Sequence, residues 1–192
     1  MMKIGVVGED PNDTDSIINL MRKPYKDKAQ FVKLAERVSG SALGTDKLLK
    51  IIVEEFAFKK CKLAIITRDL DGLRTETKKI KDMNNWFDKV DSKIHNKGIF
   101  LLNIYELEAL IMANIKTFNK TYNTKYKFSG DPSLQNDPKA TLKHESRKHK
   151  KPYHVNTCSA IFAEMDFDSV VNNCNYFGTF IKDLNKRIAK GK

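Results

Sequence analysis

Asp69 and Asp71 end an aliphatic run, KLAIITRDLDG, with one leucine between them. A single acid after a strand is ordinary, because Asp starts turns and caps helices. Two acids at i and i+2 on the fraying end of a strand can lean the same way and share a cation. Two other stretches have the same character: Gly8-Glu9-Asp10 follows KIGVV, and Tyr105-Glu106-Leu107-Glu108 follows GIFLLNI. Carboxylates held together repel and raise one another's pKa values, and a divalent cation relieves that repulsion. Hard carboxylate oxygens suit Mg²⁺ or Mn²⁺. Mg²⁺ keeps several waters and takes one or two protein carboxylates beside substrate phosphates. Phosphoester chemistry is therefore the leading expectation.

The elements that must position these acids alternate along the first two-thirds of the chain. Strands are expected at 3–7, 30–38, 62–67 and 98–104, and helices at 13–23, 45–60, 75–94 and 106–114. In the helix at 45–60, Leu48, Leu49, Ile52, Val53 and Phe56 share one face. Such alternation predicts an α/β, Rossmann-like fold with a mostly parallel sheet flanked by helices. Ligands of an open parallel sheet sit outside the carboxyl ends of its strands. Glu9, Asp69, Asp71 and one of Glu106 or Glu108 are thus expected to converge on one cleft, unpaired with lysines. On a helix, positions i and i+2 diverge, so Glu106 and Glu108 are not both expected to face inward.

The length of 192 residues suits one domain, with a core over 1–122 and a basic loop and helices over 123–192 packed on it. Hydrophobic residues are 41% and charged residues 31%, a soluble balance. No apolar run approaches the ~20 residues that span a bilayer. The N-terminus lacks the long apolar stretch of a signal peptide. Cys61, Cys158 and Cys174 form no CxxC pair and fit free thiols in a reducing compartment, so a cytoplasmic protein is expected. The net charge of +11 favours polyanionic partners. Lys139, Lys143, Arg147, Lys148, Lys150 and Lys151 crowd into 139–151, a candidate phosphate-contacting segment or a solvated face. His144, His149 and His154 recur every five residues and match no zinc signature. GSALGTDK at 40–47 is not a Walker A loop and reads as a loop with Thr45 capping the next helix.

Glu9 after the first strand and Asp69-x-Asp71 after a later one resemble the Toprim domain of topoisomerases, DnaG-type primases and OLD-type nucleases. The whole chain is similar to small bacterial Toprim-like proteins, through VVGEDPNDTDSI, RDLDG, YELEALIMAN and the tail YHVNTCSAIFAEMDFDSVVNNCNYFGTFIKDL. The resemblance implies a Mg²⁺-dependent nuclease acting on DNA or RNA. Glu9 would be its general acid/base, Asp69 and Asp71 its metal ligands, and Glu106 a further acid with Glu108 the alternative. It also implies an antiphage role, with an ATPase partner subunit or a homodimer. Two positions depart from the pattern. Gly8-Glu9 reverses the usual acid-then-glycine order, and Val155 stands where the tail motif Tyr-x-Lys would place a lysine.

A rival resemblance is to the receiver domain of two-component regulators, with IGVVGEDPNDTDSIINLM as its opening and Asp69 as phosphoacceptor. No strand-end lysine follows in the expected place, and Glu106-Leu107-Glu108 has no role there. DLDG also resembles the nucleophile motif of haloacid-dehalogenase-type phosphatases, which normally sits on the first strand. Gly5-Val6-Val7-Gly8 lacks GxGxxG spacing.

Overall fold

A computed structural model of the chain describes residues 1–36 and 45–191. Strand β1 (Met2–Val7) leads into α1 (Pro11–Arg22), and β2 (Ala29–Lys33) precedes α2 (Asp46–Phe58). Strand β3 (Leu63–Asp69) is followed by α3 (Thr77–Lys93), and β4 (Gly98–Asn103) by α4 (Ala109–Ala113) and α5 (Ile115–Tyr122). Helices α6 (Pro138–Ser146), α7 (Cys158–Glu164), α8 (Phe167–Asn173) and α9 (Asn175–Lys190) complete the described chain. The predicted GSALG loop lies outside the described residues. Thr45 does cap α2, accepting from Leu48 N at 3.3 Å.

The four strands form one sheet in the order β2-β1-β3-β4, and all three pairings are parallel. The order reverses between β1 and β3, so the carboxyl ends of those two strands flank the crevice where such sheets bind ligands. The period-two alternation divides the side chains between two cores. Ile4, Val6, Ile65, Ile99 and Leu101 pack with α1 and with the C-terminal residues Phe162, Phe177 and Leu184. Val7, Ala64 and Ile66 face Leu48, Ile52, Phe56 and Val90 of α2 and α3. Residues beyond 123 therefore complete one side of the sheet.

Helix α1 begins two residues earlier than the sequence suggests. Asp10 is its N-cap, and Pro11 occupies the first turn, where a missing N–H costs nothing. Asp10 Oδ1 accepts from Asn12 N at 2.6 Å and Asp13 N at 3.2 Å, while Asp13 Oδ2 accepts from Asp10 N at 3.3 Å. This reciprocal box places Asp13 at the third helical position. Gly8 lets the end of β1 lie close to it. A Cβ at Gly8 would stand 2.8 Å from Asp13 Cβ and 3.0 Å from Thr67 Cγ2.

Candidate acidic site at the sheet edge

Asp69 is the last residue of β3, and its side chain follows Leu63, Ile65 and Thr67 to the α1 side of the sheet. Asn103, at the end of β4, donates from Nδ2 to Asp69 Oδ1 at 3.0 Å and to Thr67 Oγ1 at 3.1 Å. Burial holds the Asp69 carboxyl well above the usual range, and the charges of Asp13, Glu108 and Glu9 push it further, against the Asn103 hydrogen bond. Asp13 is raised to about 7, first by burial and then by Asp10, Glu108 and Glu9. Glu9, Asp13 and Glu108 thus lie near enough to Asp69 for their charges to act on its carboxyl.

Sequence reasoning missed Asp13. The capping signature S/T/D-x-x-D/E was legible in Asp10-Pro11-Asn12-Asp13, and a capping acid is ordinarily assigned to the helix alone. The same turn carries its carboxylate toward the end of β3 because Gly8 permits the close approach.

Asp71 is a correction. Its side chain is exposed, and its backbone lies in the left-handed region at φ 48°. The extended alternation that would aim it beside Asp69 ends there. Its N–H donates to Tyr105 O at 2.8 Å, and its carbonyl accepts from Lys79 Nζ at 3.1 Å. Asp71 shapes the turn after β3 and does not join the cluster.

Glu106 and Glu108 are a second correction, since both turn inward and are buried. The i, i+2 divergence holds on a helix, but α4 begins only at Ala109. Tyr105, left-handed at φ 63°, redirects the chain just before them. Glu106 Oε2 lies 2.7 Å and Glu108 Oε2 3.9 Å from Lys139 Nζ, and Glu106 Oε1 also accepts from Lys139 N at 2.5 Å. Tyr153 Oη donates to Glu108 Oε1 at 2.9 Å. Glu108 is raised, chiefly by burial. For Lys139 burial works the other way, but Glu108 and Glu106 outweigh it and raise the ammonium.

Lys139 is the third correction. Expected in the nucleic-acid-binding segment, it points from the first turn of α6 into the acids and breaks the expectation that no lysine pairs there. Lys143, Arg147, Lys148, Lys150 and Lys151 stay exposed, with Arg147 bonded to His144. His154 caps a short turn by accepting from Asn156 N, and His149 lies edge-on to Tyr122.

Glu9 Oε1 accepts from Arg68 Nε at 2.9 Å. Among the described residues, Asp13 and Asp69 have no ion pair, so the negative charge at the crevice is only partly balanced. Among the same residues, no three His, Cys, Asp or Glu side chains close to metal-holding geometry. Mg²⁺ does not need such closure, because it takes one or two carboxylates and reaches the rest through its waters. Asn103 Oδ1 is buried beside Asp69 with no hydrogen-bond partner among the described residues. It is an acceptor of the kind a metal-bound water would use. The hard donor set of Asp69, Asp13 and Glu9 fits Mg²⁺ or Mn²⁺ in chemistry and charge.

The raised carboxyls set a sign for pH dependence. A carboxyl that holds its proton more tightly when folded contributes stability that is complete below its unfolded pKa and is lost as pH rises through the folded value. Asp13 has its ordinary 3.8 and its folded value of about 7 as the limits of that window. In EDTA, the thermal midpoint is expected to fall between pH 5 and pH 8. Asp13→Asn, which keeps the helix-capping acceptor, should flatten that fall. A midpoint that rises across the window, or an unchanged slope in Asp13→Asn, would contradict the assignment.

The family model described as a domain of unknown function (DUF4276) matches residues 9–185, a span that contains every acid of the cluster. No curated protein and no solved structure matches the chain. Among the described residues, no helix is long and apolar enough to cross a membrane.

Proposed function

We propose that this chain, which belongs to the DUF4276 family, is a Mg²⁺- or Mn²⁺-dependent hydrolase of phosphodiester bonds in DNA or RNA. The observation that carries the reading is the place of Asp69, half-buried at the end of β3 beside the switch point of the sheet, where the charges of Asp13, Glu108 and Glu9 reach it. Such a like-charge cluster is costly to a fold unless a cation offsets it. The Toprim likeness of Glu9 and the RDLDG stretch points the same way. Its second aspartate is replaced in the site by Asp13.

Asp69 and Asp13 would hold the ion, with Glu9 at its edge. A bound ion would neutralise a phosphate and lower the pKa of an attacking water. Glu9, hydrogen-bonded to Arg68, would accept the proton of that water. Lys139 pairs with Glu106 and Glu108 and offsets part of the charge on that side of the cluster. The exposed Lys143, Arg147, Lys148, Lys150 and Lys151 would meet the nucleic-acid backbone without reading sequence. A cytoplasmic setting, an antiphage role, and an ATPase or a second copy as partner remain part of the proposal through the Toprim likeness.

The test is incubation of the purified protein with labelled plasmid, single-stranded DNA and tRNA in Mg²⁺, Mn²⁺ or EDTA. Cleavage of at least one substrate with either ion and none in EDTA is expected. No cleavage of any substrate, or equal cleavage in EDTA, counts against it. The basic surface makes a separate prediction. Changing Arg147, Lys148, Lys150 and Lys151 to Gln should flatten the log K against log salt slope on duplex DNA by up to about 3.6, at about 0.9 per neutralised phosphate. An unchanged slope would make that surface a solvated face.

A second reading, a receiver-like phosphoacceptor module with Asp69 as its site, has two observations in its favour. The order β2-β1-β3-β4 is the one with which receiver sheets begin. Lys139, whose ammonium feels the Asp69 charge, supplies a cation that the sequence does not place at a strand end. Against it, Glu106 and Glu108 both enter the cluster, where a receiver gives them no role. Beryllofluoride bound at Asp69, seen by fluorine NMR, would favour the module over the hydrolase.

A further inference from the structure

We propose that Arg68 is a phosphate receptor at the rim of the acidic cluster, with Trp86 as the floor that fixes its guanidinium plane. The inference rests on the hydrolase reading for its ligand, a phosphodiester of a nucleic-acid strand, and on Arg68 for its geometry. Arg68 follows Ala64 and Ile66 to the opposite face of the sheet from Asp69. There its guanidinium carbon lies 4.5 Å from the centre of the Trp86 ring on α3. Trp86 leans in turn on Phe100 of β4, ring centres 6.1 Å apart. With Arg68 over the indole, Trp86 serves as a support and not as a platform for a base.

Arg68 uses one donor, Nε, on Glu9 at 2.9 Å. A guanidinium kept only to neutralise a carboxylate commonly grips it through two parallel hydrogen bonds. Nη1 and Nη2 carry the other four N–H groups and have no hydrogen-bond partner among the described residues. The side chain is 20% exposed, so this planar edge is held in place yet open to solvent. Such a pre-organised fork matches a phosphate, and ordering it in advance removes part of the entropic cost of binding. A single residue thus links Glu9, the proton acceptor of the hydrolase reading, to the anion it would act on.

The chain has one tryptophan, so its emission reports on this contact directly. A fluorescein-free single-stranded oligonucleotide would be titrated into the protein in EDTA and again in Ca²⁺, with Trp86 emission followed. A saturable change is expected in at least one condition. Arg68→Gln should remove the change and weaken binding about tenfold or more, as loss of a charge-assisted contact implies. Arg68→Lys, which keeps charge without the fork, should restore part of the affinity. Circular dichroism guards against a misfolded variant, with Arg68→Lys as the second route to the same result. Emission that stays flat in both conditions while the oligonucleotide binds, or binding within twofold of wild type in Arg68→Gln, overturns the assignment. If Arg68 behaves as expected while no substrate is cleaved in Mg²⁺ or Mn²⁺, the hydrolase reading fails and the receptor stands. If cleavage is metal-dependent while Arg68→Gln binds normally, the reverse holds.

Discussion

Asp69→Asn should lower metal-dependent cleavage on the order of 10²–10⁴-fold while raising the thermal midpoint of the metal-free protein. The two effects have one cause. The half-buried carboxyl feels the charges of Asp13, Glu108 and Glu9, and its ionised form is disfavoured first by desolvation and then by those charges. An amide of the same shape removes the charge and keeps an oxygen to accept from Asn103 Nδ2. Relief of such repulsion commonly adds about 0.5–2 kcal/mol. Asp71→Ala makes the contrast, because Asp71 is exposed on the turn. It should leave cleavage within a few-fold of wild type. Assays on both variants and their melting curves in EDTA check this. An active Asp69→Asn, or an inactive and well-folded Asp71→Ala, would return the site to the aspartate pair as the sequence reads it.

Lys139→Ala is expected to act in the opposite direction, with a loss of about 2–3 kcal/mol. Removing one partner of a buried ion pair leaves the other charge uncompensated, at about 3–5 kcal/mol when burial is full. Here Glu106 and Glu108 are buried and Lys139 is 32% exposed, so solvent screening trims the figure. The backbone bond from Lys139 N to Glu106 Oε1 survives the substitution. Adding Glu106→Gln to Lys139→Ala should recover part of the loss, because one of the two stranded charges disappears. Urea denaturation of the wild type and the two variants reads these differences. A neutral Lys139→Ala would mean that the ammonium is a surface cation and not the counter-charge of the cluster.

Much of the architecture was legible because it depends on local patterns. The aliphatic runs at 3–7, 62–67 and 98–104 and the amphipathic stretch at 45–60 gave β1, β3, β4 and α2 within a few residues. Their alternation predicted the parallel sheet that is found. Strand-end positions carried Glu9 and Asp69 to the same edge. What failed was side-chain direction where the backbone leaves regular geometry. Asp71 and Tyr105 both adopt left-handed conformations, and neither is a glycine that would have flagged the turn. Asp71 was consequently aimed inward when it points out, and Glu106 and Glu108 were treated as helical when they precede the helix. Asp13 and Lys139 enter through contacts across the fold, Asp13 through a close approach at Gly8 and Lys139 through α6 packing against the α4 region. No periodicity in a single sequence encodes such approaches.

Asp69, Asp13 and Glu9 are the proposed ligands of a divalent cation at the edge of the sheet. The most direct test of that assignment is Mn²⁺ binding followed by electron paramagnetic resonance, where the sharp signal of the free ion disappears on capture. Titration of the wild type, Asp69→Asn, Asp13→Asn and Asp71→Ala at pH 8 separates the two arrangements of acids. A saturable site is expected in the wild type and in Asp71→Ala, lost or weakened at least tenfold in Asp69→Asn and Asp13→Asn. A wild type that leaves the free-ion signal untouched up to millimolar protein, or an Asp69→Asn that binds as the wild type does, would contradict the assignment.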